Sequence, residues 1–442
     1  MVTLTVENRG PIPPLGRGIT AARELSLRLV GAALQILATV AVVQVLAPPV
    51  AGIYFRGAII TYGLAALLRG KYELFIVQHF IDLQKSDLGE HARLVVRGLG
   101  IRVLNRSAIA CAVLLVFTTD LDVMDVYVRP YLQTYLPFVL AVPFATLALF
   151  LASTLRAVNH TLGSTVVSSY TINVMILVAA GVAAVLQPDA PLFPLSWGFF
   201  IGCALAAGMG VLLTRHVFEV PRHDPGLKPN AAEWRDIYAS TGRNGLTGLA
   251  LAALQWGPAC VLAVLGTAIE IAQFAVVTRT AQIIDFLIPA VIFIPHSASV
   301  QSRLCQAMHS ARGKLAVDLS VSLATTSACV IAVASLTPWL VSWYGPAYSG
   351  LTSLFALLFL TQWVAGACRP ALRQLAADWD LGHIRRIMFI SMTGAIAVSL
   401  AGIVSYGPLA AAFGSLVGAL LLNGQALQSA FRRAGVSSAS EP

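Results

Sequence analysis

Arg69 and Glu73 stand four residues apart inside the otherwise apolar stretch 52–80. On a helix that spacing puts them on one face. Lys71 sits two residues on, about 200° around the axis, and cannot share that face. A second apolar stretch, 270–297, carries Arg279 and Asp285, again too far around the helix to meet. Arg28 and Arg243 lie near the starts of the apolar stretches 25–47 and 238–265. Ionisable groups inside apolar spans are costly, so they face a cavity or a partner. Arginine presents a planar fork that grips phosphate or carboxylate in two places. The candidate anion-binding cations are therefore Arg28, Arg69, Lys71, Arg243 and Arg279. Glu73 and Asp285 are candidates for ion coupling or for plain charge partners. The competing reading makes Arg69 only the salt-bridge partner of Glu73, and Arg28 and Arg243 only interfacial anchors.

These charges need helices at membrane depth to hold them, and the composition supplies them. The chain has 442 residues, 57% hydrophobic and 11% charged, with a mean hydropathy of +0.78. Soluble domains carry roughly 25% charged residues, so this chain must use lipid as its solvent. Apolar runs of span length recur at 25–47, 52–80, 95–118, 128–156, 163–186, 194–214, 238–265, 270–297, 315–337, 350–374, 384–405 and 408–430. Their lengths fit helices; barrel strands are about half as long and alternate in polarity. The fold class expected is an all-α integral membrane protein with about 12 transmembrane helices.

All of the 29 Lys and Arg residues except Arg56, Arg69, Lys71, Arg129 and Arg279 fall in every second gap or on its shoulders. Basic gaps stay cytoplasmic, so both termini are expected on the cytoplasmic side. The longest interior gap contains Pro221, Pro225, Gly226 and Pro229, which break helices and mark a linker. The expected organisation is a cytoplasmic N-terminal segment (1–24), a first six-helix lobe (25–217), a linker (218–237), a second six-helix lobe (238–431) and a disordered tail (432–442). The lobes open alike. Leu46-Ala47-Pro48-Pro49 makes the first short turn of one, and Leu265-Gly266-Thr267-Ala268 that of the other. Two six-helix halves are a transporter plan.

Several functions are disfavoured. The gaps are too short to fold a catalytic domain on either side, and no G-x-x-x-x-G-K-[ST] phosphate loop occurs. The six cysteines stand singly, without a C-x-x-C pair. No histidines have supported metal-ligand spacing. No metal, cofactor or nucleic-acid partner is therefore expected, and the net charge of +9 is explained by the loop bias. An excess of cations over carboxylates in the spans suits an anionic substrate such as a lipid diphosphate. Gln255, Gln273, Gln282, Asn244, Tyr62 and Tyr72 could bind sugar hydroxyls.

The stretch Val45-Leu46-Ala47-Pro48-Pro49-Val50-Ala51-Gly52-Ile53-Tyr54-Phe55 resembles the first turn of bacterial polysaccharide flippases of the Wzx type. These belong to the multidrug/oligosaccharidyl-lipid/polysaccharide (MOP) exporter superfamily. Leu155-Arg156-Ala157 after the fourth span and the basic central linker fit the same family. The resemblance implies two lobes around a cationic cavity in the bacterial inner membrane. It implies transport, not enzymatic catalysis, of an undecaprenyl-diphosphate-linked oligosaccharide. Membrane lipids, a polysaccharide polymerase and a chain-length regulator are the partners it implies. A cation-coupled multidrug exporter of the same superfamily is the alternative. Such exporters carry carboxylates in the first or seventh helix, and 29–46 and 238–265 contain none. A non-transporting scaffold subunit of a polysaccharide synthase complex is a further alternative, and it needs no buried arginine.

Overall fold

A computed structural model describes residues 14–83, 89–119, 125–158, 160–218, 231–293, 311–377 and 381–437. The described residues are almost entirely helical: α1 (Pro14–Val45), α2 (Pro48–Leu83), α3 (Gly89–Thr119), α4 (Asp125–Ala157), α5 (Thr161–Leu186), α6 (Leu192–Val217), α7 (Ala231–Leu265), α8 (Ala268–Phe293), α9 (Ala311–Tyr344), α10 (Thr352–Ala367), α11 (Arg369–Ala377), α12 (Leu381–Tyr406) and α13 (Pro408–Ser437). Eleven helices are long and apolar enough to cross a membrane, and the bent pair α10–α11 makes up to 12. The expected fold class holds.

Proline at a first helical position gives up only an N–H that has no intrahelical partner. Pro14, Pro48 and Pro408 each open a helix in this way. Between α12 and α13 the chain turns on Gly407 alone, at φ 51°, a left-handed conformation that glycine adopts without a Cβ clash. Several ends differ from expectation. Helix α1 begins inside the expected N-terminal segment. Helix α7 begins at Ala231, inside the expected linker, and α13 continues through Arg432 and Arg433 to Ser437, inside the expected tail. Alanine and arginine are good helix formers, so these segments extend their neighbours.

Prolines inside spans leave a carbonyl without its usual donor, and side chains from neighbouring helices fill two of these gaps. Pro143 frees the Val139 carbonyl, which accepts from Cys111 Sγ on α3 at 3.4 Å. Pro370 frees the Gly366 carbonyl, which accepts from Ser322 Oγ on α9 at 2.8 Å. At the second of these the helix breaks, and α10 and α11 meet at 48°.

The helices cluster into two compact units, Leu37–Ala272 and Met1–Ile36 with Gln273–Pro442. The first unit holds α2–α7. In it α2 runs along α7 on small residues. A Cβ at Gly52 would meet the Ala268 carbonyl oxygen, one at Gly63 the Cys260 sulfur, and one at Gly70 the Gly248 carbonyl oxygen. Helix α7, assigned by the sequence to the second half, thus packs with the first. One end of the unit is an aromatic cluster of Tyr54, Phe138 and Phe199. The other is an apolar core of Tyr72, Phe75, Ile76, Leu99, Val103 and Phe150, with Trp234 and Tyr238 against it. In the second unit α12 and α13 form a close hairpin, with Gly414 against Ser399 and Gly394 against Leu421.

Candidate functional site

In the first unit, packing of α2 on α4 buries Arg69 to 7% exposure. Its Nη1 lies 3.1 Å from Glu73 Oε2. The same nitrogen donates to Ser153 Oγ at 3.0 Å and to the Leu149 carbonyl at 3.2 Å. Ser153 is positioned to donate in turn to Glu73 Oε1 at 2.9 Å. One guanidinium, one carboxylate and one hydroxyl thus close a neutral network between two spans. The Arg69 Nε–H stays buried with no acceptor among the described residues. The pairing with Glu73 is legible from the spacing. Ser153, 80 residues away in sequence, is not.

Arg56, on the same helix nearer the turn, donates through Nη2 to the Gly266 carbonyl at 2.7 Å. It thereby holds the turn between α7 and α8. That turn carries its own reciprocal cap: Thr267 N–H donates to Glu270 Oε2 at 2.7 Å, and Glu270 N–H to Thr267 Oγ1 at 3.4 Å. Such a capping box satisfies two free amides at the start of α8. The sequence points to the turn but not to Arg56.

In the second unit, Gln35 of α1 bonds α8 twice. Its Nε2 donates to Gln282 Oε1 at 2.8 Å and to the Arg279 carbonyl at 3.4 Å. The Arg279 side chain is half-buried, and no carboxylate or hydrogen-bond acceptor among the described residues engages its guanidinium. Asp285, two turns along α8, pairs instead with Arg369 Nη2 at 2.6 Å. Arg369 opens α11, immediately after the break at Cys368, so the bend delivers its cation to α8. The charge pattern of the sequence puts Arg369 in a basic gap instead.

Arg28 is partly buried on α1. The side chains of Lys71 and Arg243 lie outside the described residues. Among the described residues, no group of His, Cys, Asp or Glu side chains is arranged to hold a metal. Both candidate carboxylates are thus neutralised, Glu73 by Arg69 and Asp285 by Arg369. The Arg279 guanidinium makes no ion pair among the described residues.

No family model and no curated protein sequence matches the chain. Solved structures do. The lipid II flippase MurJ in an inward closed conformation aligns with a TM-score of 0.64 at 12% identity, over 92% of this chain and 87% of MurJ. An inward-facing multidrug resistance MATE family transporter of the MOP superfamily aligns at 0.58 and 13%, over 95% of this chain and 100% of that one. A MOP superfamily transporter from Pyrococcus furiosus, described as having a binding pocket of reverse polarity, aligns at 0.55 and 12%, over 96% of both chains. The chain has the fold shared by these MOP superfamily transporters.

Proposed function

We propose that this chain is a membrane flippase that moves an anionic lipid-linked oligosaccharide, carried on undecaprenyl diphosphate, across the bacterial inner membrane by alternating access. In this reading it transports and does not catalyse, and it serves surface polysaccharide synthesis beside a polymerase and a chain-length regulator. Both termini are cytoplasmic in this reading. The observation that carries the reading is Arg279, a membrane-span guanidinium without an acceptor among the described residues, while the nearby carboxylate Asp285 is already neutralised. An unpaired guanidinium at that depth is costly unless it meets an anion, and its fork fits a diphosphate. The fold likeness to a lipid II flippase supports a lipid-linked substrate.

The multidrug alternative needs a free intramembrane carboxylate to attract a cation. The spans 29–46 and 238–265 contain none, and Glu73 and Asp285 are both paired. The test is to delete the gene, extract lipids, and quantify polyprenyl-diphosphate oligosaccharide together with surface polysaccharide. Accumulated lipid-linked units and lost surface glycan, both reversed by the intact gene, are the expected result. Unchanged intermediates and glycan in a strain without a second flippase would overturn the proposal.

A further inference from the structure

Helix α3 carries two arginines that the charge pattern of the sequence assigns to a basic gap. Arg102 and Arg106 lie within the candidate span Ala92–Leu115, and both are exposed on the chain. At 1.5 Å per residue they sit about 20 and 14 Å from the Leu115 end of that span, a depth that a hydrocarbon layer of about 30 Å starting there would cover. Neither makes an ion pair among the described residues. Spaced by four, they share a helix face, and like charges so placed repel. That face continues through Ile109 and Val113, exposed to 64% and 47%. The row therefore runs from two guanidinium groups to bare apolar side chains along one line of the helix.

The cations are held in place by rings. The guanidinium carbon of Arg102 lies 3.4 Å from the centre of the Tyr238 ring, which stacks on Trp234 at 5.5 Å and 22°. Gly98 leaves the room that the Trp234 ring occupies. Arg106 lies 5.6 Å over the Tyr72 ring, and Tyr72 is buried in the apolar core. A guanidinium close to an aromatic ring is attracted to it. Each guanidinium carries five N–H donors in a planar fork, more than its ring neighbour can engage. Two forks fixed this way are prepared for an acceptor rich in oxygen and charge.

We infer that Arg102 and Arg106 form a phosphate site on the outside of α3 that takes the head group of an anionic lipid, whose chains lie along Ile109 and Val113. The occupant is a lipid because cationic and apolar ends are collinear within one span. It is anionic because two arginines without a carboxylate among the described residues need charge as well as acceptors. The phosphate can belong to a bulk phospholipid or to a polyprenyl-diphosphate carrier. The site is separate from the Arg69–Glu73 network and does not depend on the flippase reading.

The experiment is native mass spectrometry of the full chain in neutral detergent. It titrates dioleoyl phosphatidylglycerol, undecaprenyl diphosphate and, as a zwitterionic control, dioleoyl phosphatidylcholine. Arg102→Ala with Arg106→Ala should weaken anionic-lipid binding roughly tenfold or more, as expected from losing two charge-assisted contacts. Arg93→Ala with Arg97→Ala removes the same charge elsewhere on α3 and should change it less than about twofold. Should the alanine pair not fold, Arg102→Gln with Arg106→Gln keeps the volume and should show the same loss. Loss confined to phosphatidylglycerol assigns the site to bulk lipid, and loss confined to undecaprenyl diphosphate to the carrier. Equal loss in the two double-alanine variants, or unchanged binding in the Arg102/Arg106 variants, overturns the proposal.

Discussion

Glu73→Ala leaves the Arg69 guanidinium buried in a span, with Ser153 Oγ and the Leu149 carbonyl as its remaining acceptors. The two side chains are 8% and 23% exposed, so solvent screens the charge weakly. Removing one partner of a buried pair destabilises by about 3–5 kcal/mol. The two neutral contacts that Arg69 keeps put the expected loss at the lower end, about 3 kcal/mol. A neutral interhelical hydrogen bond in a bilayer is worth only about 0.6 kcal/mol, so a stranded charge costs several times more than a lost neutral bond. Replacing both charges, Arg69→Met with Glu73→Leu, removes the stranded cation and should restore most of the loss, because apolar substitutes for a buried pair are often neutral. The assay is reversible unfolding in mixed detergent micelles, run as a double-mutant cycle, with glycan export measured on the same variants. A cost for Glu73→Ala below about 1 kcal/mol, typical of an exposed pair, would refute the buried-network argument. Export by the stable double variant at the wild-type rate would assign Arg69 to structure alone.

Further expectations follow from single contacts. Ser322→Ala strands the carbonyl that Pro370 leaves free and should destabilise by about 1–3 kcal/mol in the same unfolding assay, whereas Ser320→Ala on the exposed side of α9 should change little. In a glycine series along α2, Gly52→Ala and Gly70→Ala would drive a Cβ into the Ala268 and Gly248 backbones, whereas Gly63→Ala crowds only a side chain, the Cys260 thiol. The first two should each destabilise by about 1–3 kcal/mol or more and the third by less; Gly181→Ala, with open space around it, should be neutral within about 0.5 kcal/mol. Arg279→Ala should abolish export at normal protein abundance while changing stability by less than about 1 kcal/mol, and unchanged surface glycan would remove Arg279 from the binding role.

The spans are legible in the sequence because an apolar run of bilayer length is what a membrane helix requires and a soluble fold avoids. The bend between α10 and α11 is not: 350–374 is continuously apolar enough to pass as one helix, although Arg369-Pro370 holds the cause. Glu73 announces itself as the neighbour of Arg69 because helical periodicity fixes which residues share a face. Ser153 and the Asp285–Arg369 pair come from packing between distant helices, which local periodicity does not encode. Arg102 and Arg106 read as loop charges because the positive-inside pattern rewards assigning every arginine to a gap. Their exposure on a membrane helix, and the rings beneath them, appear only once α3 packs against Tyr72 and Tyr238. The approach of α7 to α2 is hidden in a different way. Glycines permit close packing at many places, and the sequence does not say which partner arrives.

The most direct test of the central claim uses purified protein in vesicles loaded on one leaflet with an undecaprenyl-diphosphate-linked oligosaccharide carrying a fluorescent label. A membrane-impermeant quencher then reports which leaflet holds the label. Translocation by the wild type, with little or none by Arg279→Ala reconstituted to the same density, is the predicted result. Equal movement in both, or none above protein-free vesicles in either, would contradict the claim that this chain carries anionic lipid-linked sugars through Arg279.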